Sequence, residues 1–106
     1  MLEDNFIEKF ENKYEFIFDL CDSNTYYGSD YYYKNYKGQI LINEEKFEYF
    51  IRIVLSKNKY IIHFHSDRGY TKIFDFYLQT ENSDEIFEKF DNYILTEKIS
   101  KRYDSR

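Results

Sequence analysis

The stretch FEYFIRIVLSKNKYIIHFHSDRGYTKIFDFYLQ, residues 47–79, decides the fold. Its first segment places Phe47, Tyr49, Ile51, Ile53 and Leu55 at every second position. Its second repeats the pattern with Tyr60, Ile62 and Phe64, and its third with Phe74, Phe76 and Leu78 over residues 70–79. Side chains alternate across a strand, so each segment has one apolar and one mixed face. The connectors fit hairpins, with Asn58 in Ser56-Lys57-Asn58-Lys59 and Gly69 in Asp67-Arg68-Gly69 suited to left-handed positions. An antiparallel β-meander follows.

Working outward, residues 2–12 read as a short helix with Phe6, Ile7 and Phe10 on one stripe and Glu3, Asp4, Glu8 and Glu11 facing out. Asp4 is its expected N-cap. Residues 14–20 alternate Tyr14, Phe16, Phe18 and Leu20 and read as a strand, ended by the small polar residues after Cys21. Residues 26–36 hold six tyrosines (Tyr26, Tyr27, Tyr31, Tyr32, Tyr33 and Tyr36) without clean alternation, and read as a loop or irregular edge. A short strand over 38–43 leads into the meander. A C-terminal helix begins at Asn82 or Ser83, turns Ile86, Phe87, Phe90, Tyr93 and Ile94 inward, and carries Asp84, Glu88 and Asp91 outside. Lys98, Lys101, Arg102 and Arg106 at its end suit the helix dipole. The expected architecture is α+β, a meander of about four to five strands flanked by an N-terminal and a C-terminal helix, both on the apolar face. One domain spans residues 1–106.

Composition narrows the function. Thirteen tyrosines and eleven phenylalanines bring more buriable surface than one core needs, which excludes disorder and leaves rings near the surface for a protein partner. The formal charge is −5, which argues against general binding of a nucleic-acid backbone. Charge is uneven: residues 1–30 hold eight acids and two bases, residues 31–80 five and eight, residues 81–106 seven and five. A lone Cys21 points to no intrachain disulfide, and the acidic N-terminus contains no apolar run of signal-peptide or membrane-span length. The host-cell cytosol is the expected location.

Candidate chemistry is sparse. His63 and His65 share a strand face, and Asp75 on the next strand is a third candidate metal ligand, yet zinc needs three or four close ligands. The plainer account is two histidines lining a mixed sheet face beside Arg52. Cys21 lacks the setting of a nucleophile, three scattered glycines build no phosphate loop, and no carboxylate pair marks acid–base catalysis. No enzymatic activity and no cofactor are expected. The tyrosine segment, mixed with Ser, Gly and Asn, has the composition of evolved binding loops. Its rings with Lys34, Lys37, Lys57, Lys59 and Arg68 could instead stack single-stranded RNA or DNA, or simply cap a sheet edge. The acidic rows, Glu8 and Glu11 on one helix and Asp84, Glu88 and Asp91 on the other, are either solvated faces or an imitation of a phosphate backbone. The mixed sheet face (Ile17, Phe50, Val54, Ile61, Ile73 and Tyr77) is a further contact surface, for a partner or a homodimer.

The acidic helix Asp4-Asn5-Phe6-Ile7-Glu8-Lys9-Phe10-Glu11-Asn12-Lys13, then Asp22-Ser23-Asn24, the meander, and the helix opening Glu81-Asn82-Ser83-Asp84-Glu85-Ile86-Phe87-Glu88-Lys89-Phe90 cover about a third of the chain. In this layout the chain resembles the small phage and prophage anti-CRISPR proteins, the DNA-mimicking type in particular. The resemblance implies a non-enzymatic inhibitor that binds a CRISPR-Cas effector or guide complex through acidic and aromatic residues. An immunity protein or antitoxin masking a nuclease would use the same charge logic. Read from the tyrosine segment and the acidic helix faces, the expected partner-binding residues are Tyr26, Tyr27, Tyr31, Tyr32, Tyr33, Tyr36, Glu8, Glu11, Asp84, Glu88 and Asp91.

Overall fold

A computed structural model describes residues 5–18, 21–42, 44–66 and 74–100. Helix α1 (Phe6–Lys13) and one-turn helix α2 (Glu15–Phe18) precede five strands: β1 (Asp22–Tyr27), β2 (Tyr31–Ile42), β3 (Glu45–Ser56), β4 (Tyr60–Ser66) and β5 (Asp75–Thr80). Helix α3 (Ser83–Glu97) and a two-residue strand β6 (Ile99–Ser100) follow. Strand order in space repeats strand order in the chain, β1-β2-β3-β4-β5, all antiparallel, while β6 pairs with β2 beyond the start of β1. The expected α+β meander between two helices is the architecture found.

Burial follows the period of two. In β3 every odd residue from Phe47 to Leu55 is buried, and in β4 Tyr60, Ile62, Phe64 and Ser66 are. The register carries this parity to Tyr36, Ile40 and Ile42 of β2, and α1, α2 and α3 lie on that face. Phe6 and Phe10 of α1 meet Phe87 and Phe90 of α3, and Phe64 and Phe76 of the sheet pack against Phe90. Ring pairs at these tilted, stacked and edge-on geometries add to area burial worth about 1.5–3 kcal/mol for each buried large side chain.

Two hydrogen-bonded ties fasten the helices. Glu11 Oε2 of α1 accepts from Lys34 Nζ at 2.8 Å and from the Tyr36 hydroxyl at 2.6 Å, both on β2. The Tyr14 hydroxyl, between α1 and α2, donates to Asp91 Oδ1 of α3 at 2.6 Å. At the centre, the Tyr49 ring lies over Gly38 and its hydroxyl donates to the carbonyl of Ile17 in α2. A Cβ on Gly38 would come within 2.8–2.9 Å of that ring and hydroxyl, so only glycine admits this contact.

Several local expectations are corrected. Residues 15–18 are helical rather than extended, because Tyr14, Ile17 and Phe18 also satisfy helical spacing and the core takes Tyr14 and Ile17. Ile17 is thus a core residue and no part of a sheet face. Residues 22–27 form a strand where a chain stop was expected, and residues 26–36 form a hairpin around Ser29-Asp30 rather than a loop. The expected short strand over 38–43 is the end of twelve-residue β2. The β3–β4 turn is the two-residue Lys57-Asn58 hairpin, without a left-handed Asn58; among the described non-glycine residues those with positive φ are Glu44 and Lys98. Asn82 caps α3 as expected, accepting from the Asp84 N–H at 3.0 Å, and Lys98 closes it in the left-handed region, φ 57°. Asp4, Leu20, the turn at 67–69, Ile73, Lys101, Arg102 and Arg106 lie outside the described residues.

Substituting Gly38→Ala is expected to destabilise the fold by about 1–3 kcal/mol through overpacking against Tyr49. Urea unfolding checks this, and an unchanged midpoint would show that the ring can move aside.

Candidate functional site

The tyrosine segment is a hairpin whose rings cover both sides. Its two-residue turn is closed by Gly28 N–H donating to the Tyr31 carbonyl at 2.7 Å. Register pairs Tyr26 with Tyr33 and Tyr27 with Tyr32, so alternation puts Tyr26, Tyr31 and Tyr33 on the helix-free face and Tyr27 and Tyr32 on the other. Ring centroids are 5.0 Å apart for Tyr26–Tyr33, 6.2 Å for Tyr31–Tyr33 and 5.5 Å for Tyr27–Tyr32, all stacked. Tyr27 is 76% exposed, Tyr26 47% and Tyr31 43%, so three of the five exposed large hydrophobic residues among those described belong to this one hairpin. Tyr32 and Tyr33 are half-buried. Tyr36, at 2% exposure, is withdrawn into the core against Phe18 and Glu11, where no partner reaches its ring.

The helix-free face continues the site. One register row crosses it as Asn24, Asn35, Arg52, His63 and Tyr77. Asn35 donates to Asn24 at 3.2 Å and accepts from Arg52 Nε at 2.7 Å, while the guanidinium stands 4.5 Å from the centre of the Tyr33 ring. A concavity of about 710 Å³ lies here, lined among others by Asn24, Asn35, Lys37, Phe50 and His65. His63 Nε2 lies 2.7 Å from Asp75 Oδ1, and the two imidazole centroids are 4.5 Å apart. Among the described residues no three His, Cys, Asp or Glu side chains gather as a metal site. No helix among them is long and apolar enough to cross a membrane.

The acidic rows divide. Glu8, Asp84 and Glu88 are exposed, whereas Glu11 and Asp91 are the tie points of α1 and α3. The three helices together hold eight carboxylates and three lysines, while β1 to β5 hold four acids and four bases. Negative charge is thus concentrated in the helix layer. Arg52 and the Asn24–Asn35 pair are binding candidates that the sequence reading passed over. The signal was Gly28-Ser29-Asp30, which as a turn centre sets the register that pairs them.

Burial raises the ionisation of three phenols, Tyr14, Tyr36 and Tyr49, well above the ordinary value of 10; hydrogen bonds to Asp91 and Glu11 add to this for the first two, and the nearby Cys21 for the third. No family model matches this chain, and no curated protein or solved structure matches it either.

A raised folded pKa keeps the proton in the native state longer than in the unfolded one, so the associated stability is complete below pH 10 and falls above it. Melting temperature is therefore expected to hold up to about pH 9 and to drop steeply beyond the ordinary phenol range. A phenolate-absorbance titration should show these three rings ionising only with unfolding. Their titration in the folded protein near pH 10 would contradict the burial described.

Proposed function

We propose that this chain is a non-enzymatic inhibitor that binds a basic protein partner, with the hairpin tyrosines as the anchor and the acidic helix layer selecting the partner's charge. The observation that supports it is the exposed ring cluster of Tyr26, Tyr27 and Tyr31 on one hairpin. Tyrosine covers area with few rotatable bonds and keeps a polar tip for hydrogen bonding, which suits interface anchors. The partner best matched to carboxylates over the helices is a nucleic-acid-handling protein, whose own cationic channel evolved for phosphates. A CRISPR-Cas effector or guide complex in the host cytosol is the partner that the layout suggests; a nuclease held inactive by its immunity protein obeys the same chemistry.

A second reading, single-stranded nucleic acid laid on the helix-free face, draws on Arg52 over Tyr33 beside a row of amides. It is the weaker one, since acids equal bases across β1 to β5 and little counterion release is on offer.

Affinity capture from the native host with mass-spectrometric identification supplies the partner. The combined variant Tyr26→Ser, Tyr27→Ser and Tyr31→Ser should keep its circular-dichroism spectrum and weaken capture at least about tenfold, or 1.4 kcal/mol. Asp84→Lys with Glu88→Lys should slow association and reduce its salt dependence. Undiminished capture by the tyrosine variant would sink the proposal. Binding of labelled single-stranded RNA that fades steeply with salt would favour the second reading.

A further inference from the structure

We infer that the partner is held by strand addition: an extended, positively charged peptide segment pairs with the free edge of β1. This rests on the binding reading above and states its mode. Among the described residues β1 has a single neighbour, β2, and all six of its residues are exposed. Native proteins guard such edges with lysine, proline or a bulge. The strand Asp22-Ser23-Asn24-Thr25-Tyr26-Tyr27 has none, and its register with β2 runs without interruption.

The parity of the ladder says which groups are on offer. Gly28 N–H bonds the Tyr31 carbonyl, so 28 and 31 form a hydrogen-bonded pair, and bonded and non-bonded pairs alternate from there. Asp22, Asn24 and Tyr26 therefore spend their backbone groups on β2. Ser23, Thr25 and Tyr27 turn theirs outward. The opposite edge differs: by the same rule, from Ser66 N–H on the Phe74 carbonyl, β5 turns out Asp75, Tyr77 and Gln79. There the Tyr93 hydroxyl already accepts the Asp75 N–H at 2.9 Å. Among the described residues, one of the three outward positions on the β5 edge is thus taken, while the outward groups of Ser23, Thr25 and Tyr27 on β1 are not.

Side-chain chemistry specifies the occupant. The strand carries Asp22 and no cation; of the two lysines beside it in register, Lys34 is neutralised by Glu11 and Lys37 stands opposite Asp22. Tyr26 and Tyr27 offer ring faces on both sides of the added strand, which favours Arg or Lys over an acidic or neutral segment. Alternate side chains of that segment would lie on the helix side of the sheet.

The test selects a phage-displayed random-peptide library on the immobilised full chain. Enriched peptides should carry Arg or Lys at alternate positions, contain no central proline, and slow amide exchange at Ser23, Thr25 and Tyr27. Thr25→Pro removes an outward N–H, at the kind of edge position where proline is tolerated, and should weaken them about tenfold or more, while Thr25→Ala keeps them. Equal binding by Thr25→Pro with loss in the tyrosine variant would overturn strand addition and leave the binding reading standing. No enrichment, acidic or helical peptides, or a homodimer that protects the same amides without peptide would each overturn strand addition too.

Discussion

The Tyr49 ring rests on the bare backbone of Gly38 while its hydroxyl holds the Ile17 carbonyl. This contact joins the two twelve-residue strands to the turn of helix that follows α1, within the buried core. Because the ring sits low on β2, the chain after α1 can approach the sheet closely enough for Phe18 to meet Tyr36 and for Glu11 to reach Tyr36 and Lys34. The helix layer then lies flat on one face, and α3 docks against it through Phe10, Tyr14 and Phe90. A larger residue at 38 would lift the layer and loosen all of these at once.

One-sided covering has a chemical result. The helices collect the negative charge, and the opposite face stays neutral, aromatic and hydrogen-bonding. The tyrosine hairpin stands where β1 and β2 share rings with both sides, so it belongs to neither regime. Its rings stack in pairs, an arrangement that would lower the ordering cost of an association of the proposed kind.

The meander was legible because Ile and Phe alternate there with Arg, His and Glu, a contrast that a period of two turns into burial. Residues 14–20 misled for the opposite reason: Tyr14, Phe16 and Phe18 fit alternation, but Tyr14, Ile17 and Phe18 fit a helical turn equally well, and a contact from distant Tyr49 decides between them. In the tyrosine hairpin alternation was present but invisible, since the same amphipathic residue occupies both faces. Exposed Tyr26, Tyr27 and Tyr31 were readable from composition. The burial of Tyr36 was not, because it depends on register with β3 and on a carboxylate from α1. Glu11 and Asp91 likewise looked like surface acids until tertiary partners claimed them.

The strands succeed one another in space as they do in sequence, and the β1–β2 and β3–β4 turns close after only two residues. Little loop-closure entropy opposes such neighbour pairing, so the low-contact-order part of the molecule assembles easily. The contacts between residues farthest apart in the chain include those of Phe6 and Tyr14 with Phe87 and Asp91. The native contacts thus read as a zipper with a clasp: strands paired with their sequence neighbours, and a helix layer that joins the two ends of the described chain over them.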